Sequence, residues 1–118
     1  MFLENAWYVA AIATEVDRTP RRVTMLGRHG VLFRREDGTP VALEDACPHR
    51  KLPLSKGKVV GDAIECGYHG LKFDCSGACI RVPATPNLAG NVHVRAYPVE
   101  DRWGLTWLWT GHPAKADP

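Results

Sequence analysis

The sequence predicts a single all-β domain built mostly from antiparallel strands, and three observations lead there. Short runs rich in valine, isoleucine, tyrosine and tryptophan recur between turn signals, as strands on a half-buried sheet require. No segment offers the roughly eleven residues of 3.6 periodicity that mark an amphipathic helix. The length, 118 residues, suits one domain able to bury about two-thirds of the surface its unfolded chain exposes.

The first strand is "NAWYVA". "RRVTMLG" and "GVLFRRE" follow, separated by the stretch from Gly27 to Gly30. "EDGTP" supplies a hairpin turn at Asp37-Gly38, a pair that readily takes the positive backbone angles of a tight turn. "VALEDA" leads straight into Cys47. "KVVGDAIEC" reads as a short hairpin around Gly61-Asp62, and "LKFD" and "ACIRV" flank a turn at Ser76-Gly77. After the Pro/Gly-bearing connection "PATPNLAGN", the runs "VHVRAYPVE" and "GLTWLWT" form the last strands. In "GLTWLWT", Leu105, Trp107 and Trp109 share one face, expected to be a core or sheet-packing stripe, while Thr106 and Leu108 share the other. "GHPAKADP" is polar and proline-punctuated, so the domain is expected to end near Thr110. The chain has no internal repeat or low-complexity tract.

Composition narrows the function classes. At 45% hydrophobic and 24% charged the chain has ordinary globular composition, and no window approaches the roughly 18 apolar residues of a membrane helix. The apolar patch at the N-terminus follows no basic residue, and Glu4 stands where a secretory signal carries lysine or arginine, so a cytoplasmic protein is expected. A net charge of +2 is too small to argue for nucleic acid. The positive excess is local: between Cys47 and Phe73 stand Arg50, Lys51, Lys56, Lys58 and Lys72 against Asp62 and Glu65.

That segment carries the chemistry. Cys47-x-His49 and Cys66-x-x-His69 each offer one sulfur and one nitrogen. Residues two apart in an extended loop can point to one side, and Pro48 stiffens the link. Cys66 and His69 converge only if the chain turns sharply, and Gly67 and Gly70 bracket that turn. In a reducing cytosol, cysteines interleaved with histidines are read as metal ligands before disulfides. Structural zinc accepts two cysteines and two histidines, but zinc fingers group a cysteine pair and then a histidine pair carried on a helix. A [2Fe–2S] cluster with two cysteines on one iron and two histidines on the other matches the mixed loops. Zinc remains the alternative.

Cys47-Pro48-His49-Arg50 and Cys66-Gly67-Tyr68-His69-Gly70, with sixteen residues between His49 and Cys66, resemble the Rieske signature. With "NAWYVAA", "ALEDACPHR", "PLSKGKV", "YHGLKFD" and the closing "ADP", the whole chain resembles the N-terminal domain of Rieske non-haem iron oxygenase α subunits, nearest the vanillate O-demethylase and dicamba monooxygenase group. The resemblance implies a Rieske-type antiparallel β sandwich over residues 1–110. It implies a small two-loop cluster-binding subdomain at about 45–75 and a tail, 111–118, leading toward an absent catalytic domain. It implies that Cys47 and Cys66 hold an inner iron, that His49 and His69 hold an outer iron at the surface, and that the histidines are the electron port.

High-potential Rieske proteins add a cysteine to each loop, joined as a disulfide, and hydrogen-bond the cluster through a serine and a tyrosine. This chain has Leu52 and Tyr68 at the cysteine positions, Leu71 for the serine and Phe73 for the tyrosine. With those hydroxyls missing, a potential at the low end of the Rieske range is expected. Arg50, Gly67, Tyr68, Gly70, Leu71 and Phe73 make up the surroundings of the ligands. Where the family commonly continues Gly-Ala-Pro after "HR", this chain reads Lys51-Leu52-Pro53.

In the resembling oxygenases, electrons come from a ferredoxin or flavin reductase. They go to a mononuclear Fe(II), held in the catalytic domain by two histidines and a carboxylate and belonging to a neighbouring subunit of a trimer. An isolated domain is expected to be a monomer. No segment of this chain supplies such a triad, since His29, His93 and His112 stand apart; they are expected on the surface or on strand faces. Lys51, Lys56, Lys58 and Lys72 are read either as a solvated face or as a docking surface for an acidic ferredoxin or reductase. Cys75 and Cys79, in "CSGAC", are read as buried or half-buried thiols. The competing function is a free-standing Rieske ferredoxin, distinguished by what the reading frame encodes past Pro118.

Overall fold

The computed structural model describes residues 6–25, 28–46, 53–66, 71–81 and 93–110. Strand β1 (Ala6–Ile12) runs into a 3-10 turn (Ala13–Glu15). The meander β2 (Arg21–Met25), β3 (Arg28–Arg34) and β4 (Pro40–Glu44) follows. A second 3-10 turn (Leu54–Lys56) precedes four short strands, β5 (Lys58–Val60), β6 (Ala63–Glu65), β7 (Lys72–Phe73) and β8 (Cys79–Arg81). The chain closes with β9 (Ala96–Tyr97), β10 (Val99–Arg102) and β11 (Leu105–Thr110). All pairings are antiparallel, as the sequence predicts, in three sheets ordered β1-β11-β10, β2-β3-β4-β9 and β5-β6-β7-β8.

The middle sheet is covered on both faces. Val31, Phe33, Val41 and Leu43 join Leu54, Ile64, Cys66, Leu71, Phe73, Cys79 and Val94 in one apolar core, shared with the sheet β5–β8. Leu32 and Ala42 point the other way, into a second core with Val16, Val23 and Leu108. Double coverage explains the uninterrupted runs "VLF" and "VAL", because alternation with polar residues appears only where one face meets water. Each fully buried large side chain contributes roughly 1.5–3 kcal/mol.

Three expectations need correction. "VHVRAYPVE" is not one strand: the chain pairs β9 with β4, passes Pro98, and pairs β10 with β11. Proline has no N–H to donate to either ladder, and its carbonyl accepts the N–H of Trp109 at 2.9 Å. The stripe of β11 is a core one only in part. Thr106 and Leu108 are buried at 0% and 2% exposure, whereas of Leu105, Trp107 and Trp109 only Trp109 is buried. Trp107 is half-buried, edge-on to Trp103 at 6.1 Å. At Asp37-Gly38 the turn forms, but Gly38 alone takes a positive φ, of 91°; Asp37 keeps a negative one and accepts the Thr39 N–H at 2.9 Å.

Candidate metal centre

The described residues flanking both predicted ligand loops, Leu43 and Leu54 for the first and Cys66 and Leu71 for the second, belong to the core shared by the middle sheet and β5–β8. The second loop leaves the end of β6 at Cys66 and re-enters at Leu71, where the Cys66 N–H donates to the Leu71 carbonyl at 2.7 Å. Directly below, Glu65 pairs with Lys72 across β6 and β7. The first loop leaves β4 through Asp45 and Ala46 and returns at Pro53, ahead of the turn Leu54–Lys56. Its feet are joined by Asp45, 3% exposed, whose carboxylate accepts the Ser55 N–H at 2.7 Å and the Ser55 hydroxyl at 2.6 Å.

Of the four predicted ligands, Cys66 is described, and Cys47, His49 and His69 lie outside the described residues. So do Arg50, Lys51, Leu52, Gly67, Tyr68 and Gly70. Among the described residues, no three histidine, cysteine or acidic side chains gather as a metal site. Cys66 is a free thiol at 2% exposure, in the apolar core that holds Leu54, Ile64, Leu71 and Phe73. A buried thiol at the end of β6 fits a cysteine ligand of an iron–sulfur cluster. Leu71 and Phe73 are buried at 6% and 0% and carry no hydroxyl, as the sequence implies.

The remaining candidates divide. Lys56 and Lys58 are exposed and Lys72 is half-buried. Lys58, Glu65, Lys72 and Arg81 are consecutive partners across the four short strands. Lys58 reaches Glu65 at 3.9 Å while 74% exposed. Cys79 is buried, but Cys75 is exposed, contrary to the expectation of shielding for both. His29 and His93 are exposed, the former bonded through Nδ1 to the Thr24 hydroxyl at 3.0 Å; His112 lies outside the described residues. Sequence reasoning passed over Asp45, Ser55 and Arg22. The available signal was an acid two residues before a predicted ligand at the end of an apolar strand, since an acid so placed must find partners if it is buried.

The family model of the Rieske [2Fe-2S] domain matches residues 6–98. The chain is a Rieske [2Fe-2S] domain. It is 45% identical over 99% of its length to the oxygenase component of dicamba O-demethylase from Stenotrophomonas maltophilia. It is 43% identical over its whole length to the iron-sulfur subunit of the toluene-4-sulfonate monooxygenase system from Comamonas testosteroni. The crystal structure of apo dicamba monooxygenase superimposes with a TM-score of 0.94 at 44% identity, covering 99% of this chain and 37% of that one. The Rieske domain thus belongs with the N-terminal domains of Rieske oxygenase α subunits of the dicamba and vanillate demethylase group. It spans about a third of the length of the curated relatives it matches, 34% and 35% for the two named. Family membership makes it a [2Fe–2S]-binding, electron-transfer domain and removes the zinc alternative. Among the described residues no helix is long and apolar enough to cross a membrane.

Proposed function

We propose that this Rieske domain passes single electrons from a ferredoxin or flavin reductase to a mononuclear Fe(II) in the catalytic domain of an oxygenase or demethylase acting on aromatic compounds. The observation that carries this reading is the match, over nearly the whole chain, to the oxygenase component of dicamba O-demethylase and the iron-sulfur subunit of a toluene-4-sulfonate monooxygenase system. Those relatives also weigh against the free-standing ferredoxin. In this reading Cys47 and Cys66 hold the inner iron and His49 and His69 the outer one, and the cluster supplies reversible one-electron uptake.

The residues of the chain do the rest. The core around Cys66 keeps water from the inner side, and Leu71 and Phe73 withhold hydroxyl donors, which favours a low potential. Arg50, Gly67, Tyr68 and Gly70 shape the loops. The domain comprises residues 1–110, with the cluster subdomain at about 45–75 and residues 111–118 leading toward the catalytic domain. The parent protein is a cytoplasmic trimer in which each cluster serves a neighbouring subunit.

The test is anaerobic purification or reconstitution of the chain, counting iron and acid-labile sulfide and recording low-temperature EPR before and after dithionite. Two irons and two sulfides per chain, with a rhombic signal of low average g only after reduction, are expected. A colourless, EPR-silent protein after reconstitution overturns the reading.

A further inference from the structure

Asp45 is a carboxylate whose side chain has 0% exposure. An ion so buried is costly unless its lone pairs are occupied, and here they are. One oxygen takes the Ser55 N–H and the other takes the Ser55 hydroxyl, while Arg22 Nε approaches the second oxygen at 3.2 Å. The Asp45 N–H donates to the His29 carbonyl at 3.0 Å, so the acid is fixed to β3 as well as to Ser55.

The position of these bonds matters more than their number. Asp45 and Ser55 lie on opposite sides of the first loop, so their contact closes a ring around residues 46–54. The second loop needs no such device, because β6 and β7 are already ladder partners and hold its feet together. The first loop has feet of different origin, one on a strand of the middle sheet and one on a 3-10 turn. Both described hydrogen bonds between those feet are made to Asp45.

We propose that Asp45 and Ser55 form a clasp that sets the span of the first loop, so that Cys47 and His49 meet the cluster already spaced for it. The clasp rests on the function proposed above, in which those two residues are ligands. Asp45 is a positioning residue: it binds no iron and acts through the loop. The physical gain is preorganisation, since a loop with fixed ends loses less freedom on closing around a cluster and releases it more slowly.

The whole chain, reconstituted anaerobically with iron and sulfide, provides the test. Asp45→Ala, Ser55→Ala and Asp45→Asn are compared with Val16→Ala, which weakens the other core (Val16 is 3% exposed) and leaves the clasp intact. Three quantities are read: the melting temperature of the metal-free chain, the rate at which the visible spectrum bleaches in a chelator, and the EPR linewidth after reduction. Asp45→Ala is expected to bleach about tenfold faster than wild type with a broadened signal, whereas Val16→Ala melts earlier and bleaches like wild type well below its melting point.

Asp45→Asn can still accept the Ser55 N–H and donate to the Ser55 oxygen, so it should behave like wild type, its lost ion pair involving the 42%-exposed Arg22. Bleaching that follows melting temperature across all variants overturns the clasp, as does an Asn variant as labile as the Ala one. Should Asp45→Ala fail to fold, Ser55→Ala decides, since it removes only the hydroxyl bond: wild-type bleaching and linewidth there reject the clasp. A wild-type chain that takes up no cluster overturns the proposed function instead.

Discussion

A methyl group at Gly77 would stand 2.1 Å from the carbonyl oxygen of Val94, and the backbone there has φ of 87°. Two penalties therefore fall on one atom. Gly38, at φ of 91°, has nothing within 4 Å of its would-be Cβ, so only the left-handed backbone penalises a side chain there. Gly38→Ala should cost about 1–2 kcal/mol and Gly77→Ala at least about 3 kcal/mol, read as shifts in the urea midpoint of the metal-free chain. Equal costs would show that the backbone at Val94 yields. The sequence marked Gly77 as a turn glycine, but not the close approach, which comes from a segment far along the chain. The candidate ligands stood out in the sequence because each loop pairs a cysteine with a histidine at short spacing. Asp45 did not, because its burial depends on what folds over it.

Between elements, the tie of most consequence is Arg34 on β3. Its guanidinium donates to the carbonyls of Val16 at 2.7 Å and Ala13 at 2.8 Å, and to Asp101 on β10 at 2.7 Å, joining the middle sheet to the first. Burial alone would raise the Asp101 pKa, but hydrogen bonds from Arg34 and Thr106 and the Arg34 charge outweigh it and hold the carboxyl below its usual 3.8. A lowered folded pKa gives stability that is present above the unfolded value and lost as pH falls through the folded one. Asp101→Asn should thus be less stable than wild type at neutral pH, and the gap should close on acidification below 3.8. Denaturant titrations across that range check it; a gap that widens in acid contradicts the assignment. The strands themselves were readable from their β-branched and aromatic runs. The change of sheet at Pro98 was not read, although a proline inside an apparent strand is its sign.

Across the whole molecule, the sequence conveyed the all-β class but not the order of the sheets, because β4–β9 and β1–β11 join distant segments and no local pattern encodes such partners. Nor did it show that one sheet lies between two others, though the unbroken runs "VLF" and "VAL" were the trace of it. Charge is distributed at this scale as well. The row Lys58, Glu65, Lys72 crosses the short strands on either side of the second loop, and of the two readings of these lysines, docking surface or solvated face, the docking one sets an acidic donor against it. Reduction by an acidic ferredoxin should then slow steeply with added salt, and further in Lys58→Glu. A flat salt response in stopped-flow kinetics would leave these lysines as solvated surface.

The pairings Trp7 with Trp109 and Ala42 with Tyr97 also fix an order in time. Synthesis runs from the N-terminus, so residues 47–70 emerge while β9, β10 and β11 are still unmade, and contacts of such long sequence separation form late. Val94, a member of the same core as Cys66, arrives only after both loops. During that interval the thiols of the nascent chain stand open to oxidants and competing metals, and the domain is most vulnerable when its binding residues exist but the platform beneath them does not.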